Sequence, residues 1–115
     1  MPKLMNVPIG LKDEIIASGL CDRIGVNTAT AVGMMVAVFG YLAENEPGGT
    51  LPDTRVIGRV VGLKGAKAAA FGEHIRELFS DDLGRLEPYV RVNGALVKNR
   101  ERMARKQRER RMRGA

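Results

Sequence analysis

Apolar residues recur along this chain first at helical spacing and then, near residue 85, in alternation. Residues 1–8 read as irregular, with Pro2 and Pro8 as breakers. Leu11, Ile15, Ile16 and Leu20 predict a short helix over residues 11–20, weakened at Gly19, and residues 22–26 form a connection containing Gly25. The strongest pattern lies in residues 27–43, where Val32, Met35, Val36, Phe39 and Leu42 make a wide stripe. Its other side carries Ala and Gly instead of charge, so more than one face is covered and this is the expected central helix. Asn27 or Thr28 is its N-cap. Val36 and Phe39 are expected to face the core, and Met34 and Met35 to fill it.

Pro47, Gly48 and Gly49 end that helix and turn the chain. Asp53 stands at an N-cap position, with residues 52–54 as the alternative register, and a short helix follows through Ile57, Val60 and Val61. Residues 62–65 are a glycine-bounded turn. A further helix is predicted over residues 66–79, with Ala68, Phe71, Ile75, Leu78 and Phe79 inward. A polar turn at residues 80–84 and the alternating residues around Pro88 predict a small β-hairpin, residues 78–80 outward and 86–90 back. The chain becomes helical again after Asn93 and Gly94. Beyond about Asn99 it has almost no apolar face, and an exposed, frayed or disordered segment is expected when it is alone.

Charge divides the chain more sharply than hydropathy. Residues 98–113 hold nine Lys/Arg against two Glu, a local charge of +7, whereas residues 1–97 hold ten Lys/Arg against eleven Asp/Glu. One domain over residues 1–97 and a basic arm over residues 98–115 follow. A dense positive segment on a near-neutral body is an electrostatic handle for a polyanion, most often nucleic acid; the alternative is a solvated tail that only keeps the protein soluble.

The expected fold is mostly α with a small β-hairpin: a winged helix-turn-helix followed by a basic C-terminal helix or disordered arm. In that architecture Lys64 and Lys67 lead the recognition helix and Arg76 lies farther along it, while Glu73 and Glu77 oppose DNA on the same helix. Arg85 marks the wing tip, and Arg91 contacts phosphate or starts the arm's positive field. Arg55 and Arg59, one turn apart, face phosphate or simply solvent. On the arm, Arg100, Arg102, Arg105, Lys106, Arg108, Arg110, Arg111 and Arg113 place charge on every side of a helix. That suits gripping phosphates more than reading one base edge, and no aromatic residue offers a stacking platform there.

Other classes receive little support. Cys21 is the sole cysteine, so no internal disulfide is possible, and with no secretory signal at the start a cytoplasmic, nucleoid-associated location in a bacterial host is expected. The apolar run 29–43 is too short for a membrane span. His74 follows Glu73, but spacing places no nucleophile or metal partner beside it, and no Gly-rich loop ends in Lys-Ser or Lys-Thr. No enzyme activity, cofactor or metal is expected.

The run Gly48-Gly49-Thr50-Leu51-Pro52-Asp53, followed by Ile57, Arg59, Val60 and Gly62-Leu63, resembles phage and prophage winged-helix domains associated with replication-initiation-like proteins. The resemblance extends over residues 27–105 through Phe79, Asp81 to Gly84, Tyr89 to Val92 and the charged end. Family members usually carry an aromatic residue, often Trp, on the helix expected at residues 66–79, whereas this chain is Ala-rich there and has no Trp. Many continue into a second domain. The resemblance implies a DNA-binding winged-helix protein of replication initiation or transcription control, with double-stranded DNA and a replication or transcription protein as partners and no membrane. Two other readings stand beside it. One is an adaptor that binds a protein through the winged helix and nucleic acid loosely through the tail; the other is an RNA-binding or nucleoprotein-structural protein. Oligomeric state is left open.

Overall fold

The computed structural model describes residues 5–113, excluding the side chains of residues 95, 96, 99–101 and 113. Among these residues the regular structure is helical: α1 (Leu11–Ser18), α2 (Leu20–Ile24), α3 (Thr28–Asn45), α4 (Thr54–Val60), α5 (Gly65–Phe79), α6 (Glu87–Val92) and α7 (Gly94–Arg113).

Local chemistry sets most of the boundaries. Gly19 adopts a left-handed conformation that ends α1 and lets the chain restart as α2, so the expected helix and connection become two short helices. Asn27 caps α3 by accepting the Thr30 N–H at 2.8 Å, and Asp53 caps α4 by accepting the Arg55 N–H at 2.9 Å.

The core gathers on α3. Ala31, Met35, Val38, Phe39, Leu42 and Ala43 are buried there, while Val36, expected inside, is half-buried. Leu11 and Ile15 of α1, Ile57 of α4, and Phe71 and Ile75 of α5 close around it. Phe39 meets Tyr89 edge to face, with ring centroids 5.5 Å apart and planes at 78°. Tyr89 is fully buried, and its hydroxyl donates to the Pro47 carbonyl at 3.1 Å.

The α4–α5 pair is the closest helix contact. A Cβ at Gly58 would overlap the Ala68 backbone, and one at Gly72 the Thr54 backbone, each well inside 3.0 Å. Residue 54 thus lies against 72 and 58 against 68, so the two helices pass in opposite senses with backbone nearly touching backbone. Any side chain at either glycine would force them apart.

The expected wing is absent. No β-strand forms among the described residues; only the isolated antiparallel bridges Thr50↔Arg85 and Ser80↔Leu86 occur. Leu78 and Phe79 finish α5 instead of opening a hairpin. The returning segment has two extended residues before α6 begins, with Pro88 in its first turn. Proline is well tolerated there because a first-turn N–H has no helical acceptor in any case. The alternation of Tyr89, Val90, Arg91 and Val92 therefore belongs to a helix, which buries Tyr89. The Leu86 N–H donates to the Gly49 carbonyl at 2.8 Å and the Leu51 N–H to the Gly84 carbonyl at 3.0 Å, so these loops tie to each other and not to a projecting ribbon. The fold is an all-helical domain, and the winged helix-turn-helix assignment is overturned.

α7 starts on the body and leaves it. Buried Asn93 accepts the Asn6 N–H at 2.8 Å and donates to the Asn6 carbonyl at 2.9 Å, locking the N-terminal segment to the α6–α7 junction. Val97 is buried one turn later. From Lys98 to Met112 every described side chain but Ala104 is exposed. The sequence boundary at residue 97 thus lies inside one continuous helix. No helix among the described residues is long and apolar enough to cross a membrane.

Candidate nucleic-acid interface

The basic end of the chain is presented on a helix. Lys98, Arg102, Arg105, Lys106, Arg108, Arg110 and Arg111 are exposed on α7. Positions 98, 102 and 106 follow at four-residue intervals, so with Arg105 and Glu109 they form one ribbon, which lines a shallow groove of about 570 Å³. Arg108, Arg110 and Arg111 fall on the other sides. Cations concentrated toward the C-terminal end also suit the helix dipole, which partly offsets the missing apolar face. The side chains of Arg100 and Arg113 lie outside the described residues.

On the body, the cations singled out from the sequence separate into two groups. Arg85 and Arg91 are committed to internal ion pairs. Arg85 binds the Asp81 carboxylate at 2.8 Å, with both side chains less than one-quarter exposed. Burial pushes the Asp81 carboxyl up. The N–H groups of Arg85 and Leu83 and the Arg85 guanidinium outweigh that effect and hold it below the usual carboxylate range. Arg91 reaches Glu14 of α1 at 2.6 Å and Glu87 at 3.4 Å, and the hydrogen bond to Glu14 raises its pKa against the opposing effect of burial. With no wing, Arg85 is not at a wing tip; it braces the turn after α5. Arg91 pins α6 to α1.

Arg55, Arg59, Lys64 and Lys67 form the second group, all exposed around the α4–α5 turn. Arg55 and Arg59 line a groove of about 440 Å³ whose other walls are Gly65, Ala66, Ala68 and Ala69. Lys64 holds the N-cap position of α5. Lys67 lies at the mouth of a different cavity of about 360 Å³, shared with Arg23, Met34, Phe71 and His74. Arg76 is not in either group, because its guanidinium donates to the Pro52 carbonyl and joins α5 to the loop before α4.

His74 is half-buried, with its Nδ1 shielded from solvent and lacking a hydrogen-bond partner. Glu77 is engaged by Arg23 at 3.0 Å. The described residues contain no group of three or more His, Cys, Asp or Glu positioned to hold a metal ion.

Sequence reasoning missed Glu14 and Asp81 as the partners of Arg91 and Arg85. The Asp81–Arg85 pair had a local signal, since an Asp that starts a tight turn accepts N–H groups from within it. The Glu14–Arg91 pair joins residues 77 positions apart and had none. Comparison with family models, with curated proteins and with solved structures returns no match. The resemblance to phage winged-helix domains is therefore carried by its quoted residues alone. The wing it implied is missing, so the replication, transcription and adaptor readings built on a winged helix fall with it.

Proposed function

We propose that this protein binds the phosphate backbone of double-stranded DNA through α7, without reading base sequence. The supporting observation is the +7 charge of residues 98–113, carried on a helix whose described cations are all exposed. Arginine and lysine on several sides of a helix meet phosphates on both walls of a groove. They supply affinity by counterion release, which is indifferent to sequence. The helical body serves in this reading as the anchor: Val97 and the Asn6–Asn93 pair hold the first turns of α7, from which its charged length projects. A bacterial cytoplasmic, nucleoid-associated location is part of the same proposal.

The test is a titration of a short labelled duplex with the full chain and with a variant carrying Arg102→Gln, Arg105→Gln, Lys106→Gln and Arg108→Gln. The variant should bind more weakly, and the slope of log affinity against log salt should flatten by up to about 0.9 for each phosphate left unneutralised. Scrambling the duplex should change neither protein's affinity appreciably. An unchanged salt slope in the variant would remove α7 as the binding element.

A further inference from the structure

The described cations that precede α7 are not used alike. Arg23, Arg85 and Arg91 sit on carboxylates, and Arg76 donates to a backbone carbonyl. The side chains of Lys12, Arg55, Arg59, Lys64 and Lys67 make no ion pair or hydrogen bond within the described residues, and the last four gather around the α4–α5 turn. These four fall between Asp53 and Glu73, with no carboxylate in between. Asp53 itself is occupied as the N-cap of α4. Arg55 and Arg59 are moreover one turn apart on the same helix face, a spacing at which like charges repel. No acidic side chain in the groove relieves that repulsion.

The concavity beside them is built by the glycine contacts. Gly58 against Ala68 and Gly72 against Thr54 draw α4 and α5 to backbone contact. Gly65, Ala66 and Ala69 then leave the floor beside the two arginines without bulk. An anion can settle there against small groups while two guanidinium forks approach its oxygens. Guanidinium donors match tetrahedral oxyanions in charge and in geometry. The side chains of alanine and glycine offer no hydrogen-bonding group to a base edge, so the two guanidinium groups and the shape of the groove are what select its occupant.

We propose that the α4–α5 groove is a phosphate-ester site, with Arg55 and Arg59 as its principal ligands, and that it takes a phosphodiester of the nucleic-acid backbone. It is separate from α7, and either can fail without the other. The experiment follows backbone amide shifts of the full chain during titration with a short DNA duplex and, separately, with a mononucleotide. Three proteins are compared: wild type, Arg55→Gln/Arg59→Gln, and the α7 variant described above. Both arginines are exposed, and the unperturbed core amides of the double variant verify its fold.

Duplex should shift Gly65, Ala66, Ala68 and Ala69 in the wild type and in the α7 variant, but not in Arg55→Gln/Arg59→Gln. That double variant should also show a salt slope lower by about 0.9, as expected when one phosphate is no longer neutralised. Duplex-induced shifts confined to α7, with an unchanged slope in the double variant, would overturn the site and leave the α7 reading intact. Shifts in the groove with the mononucleotide but not with duplex would assign it to a free phosphate ester and overturn its role on the backbone.

Discussion

At the scale of single residues, the fold depends on a few places where no other side chain fits. Gly58 and Gly72 are such places, because their missing Cβ atoms are what lets α4 and α5 touch. Gly72→Ala should lower stability by about 1–3 kcal/mol as the helices separate. The measurement is the midpoint of urea unfolding, and a midpoint equal to wild type would mean the pair is not held at backbone contact. Phe39 is the apolar counterpart: fully buried on α3 against Tyr89, it should cost about 3–5 kcal/mol when replaced by Ala. Asp81 adds a pH dependence. Its carboxyl titrates below its ordinary value of 3.8 in the folded protein. The ionised form therefore contributes stability that is fully present above that ordinary value and is lost as pH falls through the lower native value. Asp81→Asn should be less stable than wild type at neutral pH by about 1.5 kcal/mol. The gap should close in acid. A gap independent of pH would show that the turn is held by shape and not by the charge of Asp81.

At the scale of elements, capping and burial decide which segments stand alone. α3 begins at a side-chain cap, and Asn27→Ala should cost about 1 kcal/mol by leaving the Thr30 N–H without its acceptor. α7 divides into a held turn and a free length. Truncation after Lys98 should leave the unfolding midpoint near that of the full chain, because the described side chains beyond it, Ala104 excepted, are exposed. Val97→Ala, by contrast, should lower stability by about 1–2 kcal/mol, since that side chain is 6% exposed. Equal effects from both changes would contradict the boundary drawn between them.

At the scale of the whole molecule, shape follows from α7. The Cα radius of gyration is 15.6 Å and the principal extents are 54 × 31 × 30 Å. A compact chain of this length has a radius near 13 Å, and a helix of 20 residues is about 30 Å long. Small-angle scattering of the chain truncated after Lys98 should therefore give a radius near 13 Å. A value still close to that of the full chain would mean that the elongation lies elsewhere. The same projecting geometry leaves the described cations of α7 exposed, where a long polyanion can approach them.

What the sequence determined by itself was the part of the fold governed by local rules. The long apolar stripe foretold α3 and the burial of Phe39; Asn27 and Asp53 marked helix starts because their side chains can accept an N–H in the first turn; the charge of the arm was visible by counting. Tertiary structure decided the rest. Tyr89 and Val90 alternate like a strand, yet burying the Tyr89 ring on Phe39 and bonding its hydroxyl to Pro47 favour a helix that Pro88 is well placed to begin. Val36 yields the interior to Val38 because the partners α1, α4 and α5, not the stripe alone, set which arc of α3 is covered. The same holds for the candidate site. Arg85 and Arg91 looked as available as Arg55 and Arg59, since composition cannot say whether a cation has a carboxylate beside it. Only folding brought Glu14 to Arg91, and left Arg55 and Arg59 facing a groove of glycine and alanine with no acid in it.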